Sequence, residues 1–121
     1  TNAGLCALAF TVHLTLLGEA GFTRLAELNH AKASQLADKL AGVPGVTVLN
    51  DSFFNEFTVK LPKPAAEVVE ALAAKRILGG LPVSRLIPND PSVANLLLLA
   101  ATETATDAGM DPLVAALKEV L

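Results

Sequence analysis

The sequence predicts a small α/β module of the α+β kind, with a three- to four-stranded, mainly antiparallel sheet and helices on one face. Three observations carry this. Residues 95–101, Asn-Leu-Leu-Leu-Leu-Ala-Ala, are an unbroken apolar run too short for a free-standing helix, and a strand with two covered faces reads this way. Residues 54–61 instead alternate, with Phe57, Val59 and Leu61 on one side and Glu56, Thr58 and Lys60 on the other, the mark of a half-solvated strand. Between and around these runs lie segments of helical period. A strand buried on two faces needs cover on both, and helices supply one side.

The first segment, residues 3–17, is apolar almost all the way round: Leu5, Cys6, Leu8, Phe10, Val12, Leu14, Leu16 and Leu17 leave only Thr11, His13 and Thr15 as polar breaks. A helix apolar on every face is buried on every face, so this one is expected to be covered by another domain or subunit. Gly18 and Gly21 punctuate the chain. A second helix over residues 22–40 turns Leu25, Leu28, Ala33, Leu36, Ala37 and Leu40 inward and Arg24, Glu27, Lys32, Gln35, Asp38 and Lys39 outward, and Gly42 and Pro44 end it. A short β-branched strand over residues 46–49 pairs antiparallel with residues 54–61 across the turn Asn50-Asp51-Ser52. Pro62 stops the second strand and Pro64 opens a helix with Val68, Val69, Leu72 and Ala73 inward. Gly79 and Gly80 mark a turn, and residues 81–92, with three prolines, form a loop holding at most one short strand. After the apolar strand comes a last helix carrying Leu113, Val114, Leu117 and Val120. Pro112 is expected in its first turn with Asp111 as cap, because mid-helix proline costs about 3 kcal/mol. Residues 1–42 thus read as a helical connector with the first helices and residues 43–121 as the small α/β domain, one structural domain overall.

Composition bounds the function. With 121 residues there is room for one domain with a real core. The chain is 52% hydrophobic with 17% charged residues and a mean hydropathy of +0.51, which suits a protein with a missing partner surface. No uninterrupted apolar run approaches the ~18 residues that cross a bilayer, so no membrane is expected. A net charge of -3, no Lys/Arg cluster and five Phe without Trp or Tyr argue against nucleic acid. The single Cys6 cannot form an internal disulfide, and the opening is neither basic nor shaped like a signal peptide. The chain is expected to be a piece of something longer.

The order of elements resembles the C-terminal small domain of fold-type I pyridoxal-phosphate enzymes, in which a long helix leads into such a sheet. Three stretches make the likeness specific. Thr1-Asn2-Ala3-Gly4-Leu5-Cys6-Ala7-Leu8 running into His13-Leu14-Thr15-Leu16-Leu17-Gly18 is similar to the connector of glycine dehydrogenase (decarboxylating), the P-protein of the glycine cleavage system, in its split two-subunit form. Gly45-Val46 through Asn50, then Phe53-Phe54-Asn55-Glu56-Phe57 to Leu61-Pro62, resembles subunit 1, the alpha chain. Ala101-Thr102-Glu103-Thr104 with Thr106-Asp107 resembles the strand-to-helix turn near the end of both subunits. Gly109 and Pro112 depart from the acidic first helical turn expected there.

The resemblance implies a cytoplasmic, heterotetrameric enzyme that decarboxylates glycine with pyridoxal phosphate and transfers the aminomethylamine group to the lipoyl group of H-protein. Its implied partners are the beta subunit, which holds the Schiff-base lysine, lipoylated H-protein, and this chain's own missing large domain. The cofactor is bound mainly outside this stretch, and the stretch alone is expected to be inactive. The alternative is an independent ferredoxin-like binding or regulatory module that dimerises through its N-terminal helix.

No catalytic, cofactor-binding or metal-binding residue emerges from the residues themselves. Cys6 and His13, seven apart on one helical face, lack a third orienting group, so packing is their plain reading. His30 with Lys32 reads as a polar helix face. Two His and one Cys over two helices lack zinc spacing. Gly79-Gly80 has no phosphate-loop context. Glu56 and Glu103 read as a strand position and a capping turn rather than as acid and base. Lys32, Lys39, Lys60, Lys63, Lys75 and Lys118 all fall on solvated faces or turns. Arg85 is the one candidate substrate-binding residue, because small domains of this fold type often use an arginine to hold the substrate carboxylate; its plain alternative is a surface or interdomain salt bridge.

Overall fold

A computed structural model describes residues 3–121; Thr1 and Asn2, which open the connector motif, lie outside the described residues. Three helices and four strands follow in the order α1 (Gly4–Ala41), β1 (Thr47–Val48), β2 (Glu56–Lys60), α2 (Ala65–Ala74), β3 (Leu81–Pro82), β4 (Leu96–Ala100) and α3 (Asp107–Val120), with short 3-10 turns at Val83–Arg85 and Pro91–Val93. The sheet order is β1-β2-β4-β3, antiparallel throughout. The long central pair sets Phe57 opposite Leu99 and Val59 opposite Leu97. Pleating sends these four side chains to one face, where they are buried together with Leu36, Leu40, Leu72 and Leu117 from the three helices. All three helices therefore lie on that face.

The other face differs from expectation. Leu96 and Leu98 are half-buried rather than buried, beside half-buried Leu81 and exposed Lys60 and Glu56. The apolar run reads as doubly covered, yet only one face has its cover among the described residues.

The two expected N-terminal helices are the two halves of α1, separated by a break at Gly18, whose φ of 63° and ψ of -176° are non-helical. That backbone region is open essentially to glycine alone. Before the break, Leu5 and Leu16 are 78% and 82% exposed, and Leu8, Phe10 and Val12 are exposed as well. After it, core burial begins only at Ala33. Leu28, expected inward, is 41% exposed, because the helix outruns the sheet it packs on. An 18-residue window of α1 averages a hydropathy of 1.5 with none of it buried. Any such unburied window includes Gly18, and the regular helix ahead of it is about 21 Å long, short of the ~30 Å hydrocarbon layer.

Helix α2 buries Ala65, Val68 and Leu72, whereas Ala73, expected inward, is exposed. It ends in a Schellman turn: Ile77 N–H donates to the Leu72 carbonyl at 3.0 Å and Arg76 N–H to that of Ala73 at 2.8 Å, with Arg76 left-handed at φ 63°. The edge strand β3 follows. Gly80 has φ +108°, and a Cβ there falls 2.6 Å from the Leu98 carbonyl oxygen, so the backbone passes where no other side chain fits.

Helix α3 corrects the expected start. It begins at Asp107, with extended Thr106 as N-cap and Pro112 inside it; Asp111 is not the cap. The earlier start brings Met110 into line with Leu113, Ala116 and Leu117, all buried. Burying a Met side chain is worth about 1.5–3 kcal/mol, which offsets much of the one hydrogen bond that the proline removes. Lys39 adds a tie from α1, 2.6 Å from Asp111 and 3.9 Å from Asp107.

Candidate functional site

A groove of about 470 Å³ with mixed chemistry lies between the second half of α1 and the turn joining β1 to β2. The turn is built by its polar residues. Asn50 Oδ1 accepts from the Thr58 backbone N–H at 2.7 Å, and Leu49 N–H donates to the Thr58 carbonyl at 2.9 Å, so the two strands close around residues 50–57. His30 then fastens the turn to α1. Its Nδ1 lies 3.0 Å from the Phe54 carbonyl oxygen. A carbonyl oxygen can only accept, so Nδ1 carries the proton and Nε2 is left for another partner. The His30 ring stacks on Phe54 (centroids 6.2 Å apart, 7° between planes) and meets Phe53 edge-on, and Phe53 continues to buried Phe57 at 5.0 Å. His30 is thus more than a solvated helix residue: it anchors the Phe53-Phe54-Asn55-Glu56-Phe57 block. Its spacing to that block, 24 residues, left no periodic signal to find it by.

The other singled-out residues are spread over the molecule. Cys6 and His13 are both exposed on the first part of α1, and seven residues of helix separate them by about 10 Å along the axis, beyond any thiol–imidazole contact. Glu56 is exposed on the outer face of β2 and Glu103 is exposed in the turn after β4. Arg85 ends the 3-10 turn after β3 and places Nη2 3.2 Å from Glu70 Oε1, with 52% and 73% of the two side chains exposed. The pair is open to solvent, so its net contribution is small and its guanidinium can exchange partners.

The lysines decide whether this stretch fits pyridoxal phosphate. A Schiff-base lysine must be desolvated enough to lose its proton near neutrality. Lys39 goes the other way: its hydrogen bond to Asp111, then the charges of Asp111 and Asp107, hold its pKa above 10.5 against partial desolvation. Lys75 is 2.6 Å from Glu119, Lys63 donates to the Val120 carbonyl at 2.7 Å, Lys32 reaches Gln35 at 3.3 Å, and Lys60 and Lys118 are exposed. None has the setting that covalent attachment needs. Among the described residues no group of three His, Cys, Asp or Glu side chains is arranged for a metal.

No protein-family model matches the chain. Over all 121 residues it is 68% identical to a probable glycine dehydrogenase (decarboxylating) subunit 1 of Rhodospirillum centenum and 69% identical to that of Rhodospirillum rubrum, spanning 27% of each. Among solved structures, a crystal structure of glycine decarboxylase (P-protein) of the glycine cleavage system, in inhibitor-bound form, superposes with a TM-score of 0.86 at 39% identity, over the whole of this chain and 27% of that one. A NifS-like protein matches at a TM-score of 0.62 over 81% of the chain at 16% identity, a likeness of fold alone. The chain therefore spans about a quarter of the length of the curated relatives it matches. With that fold and that identity along every residue, the chain is similar to a segment of the glycine dehydrogenase (decarboxylating) subunit 1 sequences, and its architecture is the small α/β domain of fold-type I pyridoxal-phosphate enzymes.

Proposed function

We propose that this chain is the small domain of a glycine dehydrogenase (decarboxylating) subunit, residues 1–42 serving as connector and residues 43–121 as the α/β domain proper. The whole enzyme decarboxylates glycine with pyridoxal phosphate and passes the aminomethylamine group to the lipoyl group of H-protein. The chain's own residues do not fit the cofactor's attachment, so its part is architectural: it shapes and closes a site whose reacting groups sit on the rest of the subunit and on a beta subunit. We place the assembly in the cytoplasm, in keeping with the lone, unpaired Cys6.

The observation that carries this reading is the apolar arm of α1. Leu5, Leu8, Phe10, Val12 and Leu16 are exposed along residues 4–17, and side chains of this kind each gain roughly 1.5–3 kcal/mol when covered. A chain that matches one quarter of a longer protein finds that cover in the other three quarters. The test is Leu8→Asp with Leu16→Asp in the full-length subunit co-expressed with its beta partner. Loss of subunit assembly together with glycine decarboxylation is expected, and an assembled, fully active double variant overturns the reading.

Arg85 is proposed as a holder of the glycine carboxylate, supported by its solvent-open, exchangeable pairing with Glu70. In the assembled enzyme Arg85→Ala is expected to raise the KM for glycine about tenfold or more, as loss of a charge-assisted hydrogen bond does. An unchanged KM assigns Arg85 to the surface pair with Glu70.

A further inference from the structure

The groove beside His30 combines three properties that define a partner. Its lining mixes the apolar side chains of Val48 and Phe53 with polar ones, among them exposed Asp38 on the α1 side and exposed Asp51 on the turn side. Neither aspartate has a cationic partner among the described residues: the ion pairs there join Lys39 to Asp107 and Asp111, Lys75 to Glu119, and Arg85 to Glu70. Among the described residues no Lys or Arg lines the groove. Its walls are also held in place before anything binds, by His30 on the Phe54 carbonyl and by Asn50 on the Thr58 N–H.

We propose that this groove receives a segment of a partner protein in which an aliphatic side chain stands next to a Lys or Arg. Apolar surface from Val48 and Phe53 in the same groove as two carboxylates suits a long cationic side chain, whose methylenes lie along Phe53 while its head reaches an aspartate. Exposed Leu49 and Phe54, at 46% and 54%, extend the apolar surface beyond the groove, which favours a chain segment over a compact small molecule. A fixed groove binds with less ordering cost than a mobile one, and two carboxylates repel an acidic segment outright. The surface is separate from the apolar arm, so this proposal stands whether or not the arm docks on the rest of the subunit.

The test uses the full-length subunit and two fluorescently labelled peptides, acetyl-Leu-Lys-Leu-Arg-amide and acetyl-Leu-Glu-Leu-Asp-amide, followed by anisotropy. The basic peptide is expected to bind, to weaken as salt is raised, and to lose about tenfold in affinity to a subunit carrying Asp38→Asn and Asp51→Asn, as two partly exposed ion pairs imply. A control subunit carrying Glu103→Gln, which removes an exposed carboxylate elsewhere, is expected to bind as the parent does. Failure of the basic peptide to bind the parent subunit, equal binding of the acidic peptide, undiminished binding by the double variant, or an equal loss in the Glu103→Gln control each overturns the proposal.

Discussion

Arg76 shows how a single backbone position constrains its residue. It occupies the left-handed C′ site of α2 with φ 63°, where glycine is the usual occupant because a Cβ is disfavoured there by roughly 1 kcal/mol. Its side chain takes part in no salt bridge among the described residues, so little is lost on removing it. Arg76→Gly is expected to stabilise the domain by about 0.5–1 kcal/mol, read as a rise in the urea midpoint. A fall in the midpoint assigns the arginine a role in packing. His30 makes the complementary point. Nothing in its neighbours Asn29 and Ala31 predicts a bond to a carbonyl 24 residues away, and long-range pairing of this sort has no local signature.

Helix α3 is where local propensity and tertiary packing disagree. The proline rule places Pro112 in a first turn, and the helix instead starts five residues earlier than that proline. The N–H that Pro112 lacks is the one that donates to the Ala108 carbonyl in a regular helix. Seating Met110 against the core and bringing Asp107 and Asp111 to Lys39 outweighs that loss. The strain of the arrangement remains in the folded state. Pro112→Ala is therefore expected to raise stability by about 1–3 kcal/mol, seen as a higher thermal midpoint. An unchanged midpoint means that the helix tolerates the ring by local bending. Gly18 is the analogous point in α1: it sets the direction of the apolar arm relative to the packed half of the helix, through a conformation that other residues avoid.

For the whole molecule, surface ion pairs join helices that are distant in sequence. Lys75 at the end of α2 grips Glu119 near the end of α3, and its hydrogen bond, then its charge, holds the Glu119 carboxyl below 4.5. The folded state therefore prefers the ionised form. The stability this contributes is fully present above pH 4.5 and is lost as pH falls through the lowered folded value. Asp90 acts in the same direction, held below 3.8 by the Ser92 hydrogen bonds. Lys39, held above 10.5, contributes below that pH and ceases to as pH rises past it. Replacing Glu119 by Gln is expected to flatten the acid limb of the urea midpoint below about pH 4.5 while leaving its slope near neutrality unchanged. Superimposable acid limbs for the two chains dismiss the Lys75–Glu119 contribution.

Much of this molecule was legible in its residues. The alternation over residues 54–61 specified a half-buried strand, the apolar run at residues 96–99 a core strand, and Gly18, Pro62 and Gly80 the breaks between segments, because period and backbone restriction act locally. The Phe53-Phe54-Asn55-Glu56-Phe57 block pointed to the family before any fold was known. What depended on the folded chain was everything involving two distant segments: that only one face of β4 is fully covered, that His30 anchors the β1–β2 turn, that Asp38 and Asp51 face a common groove, and that Met110 draws α3 back to Asp107. These follow from which surfaces meet, and a sum of small contact energies across elements decides that where local propensity alone favours another answer.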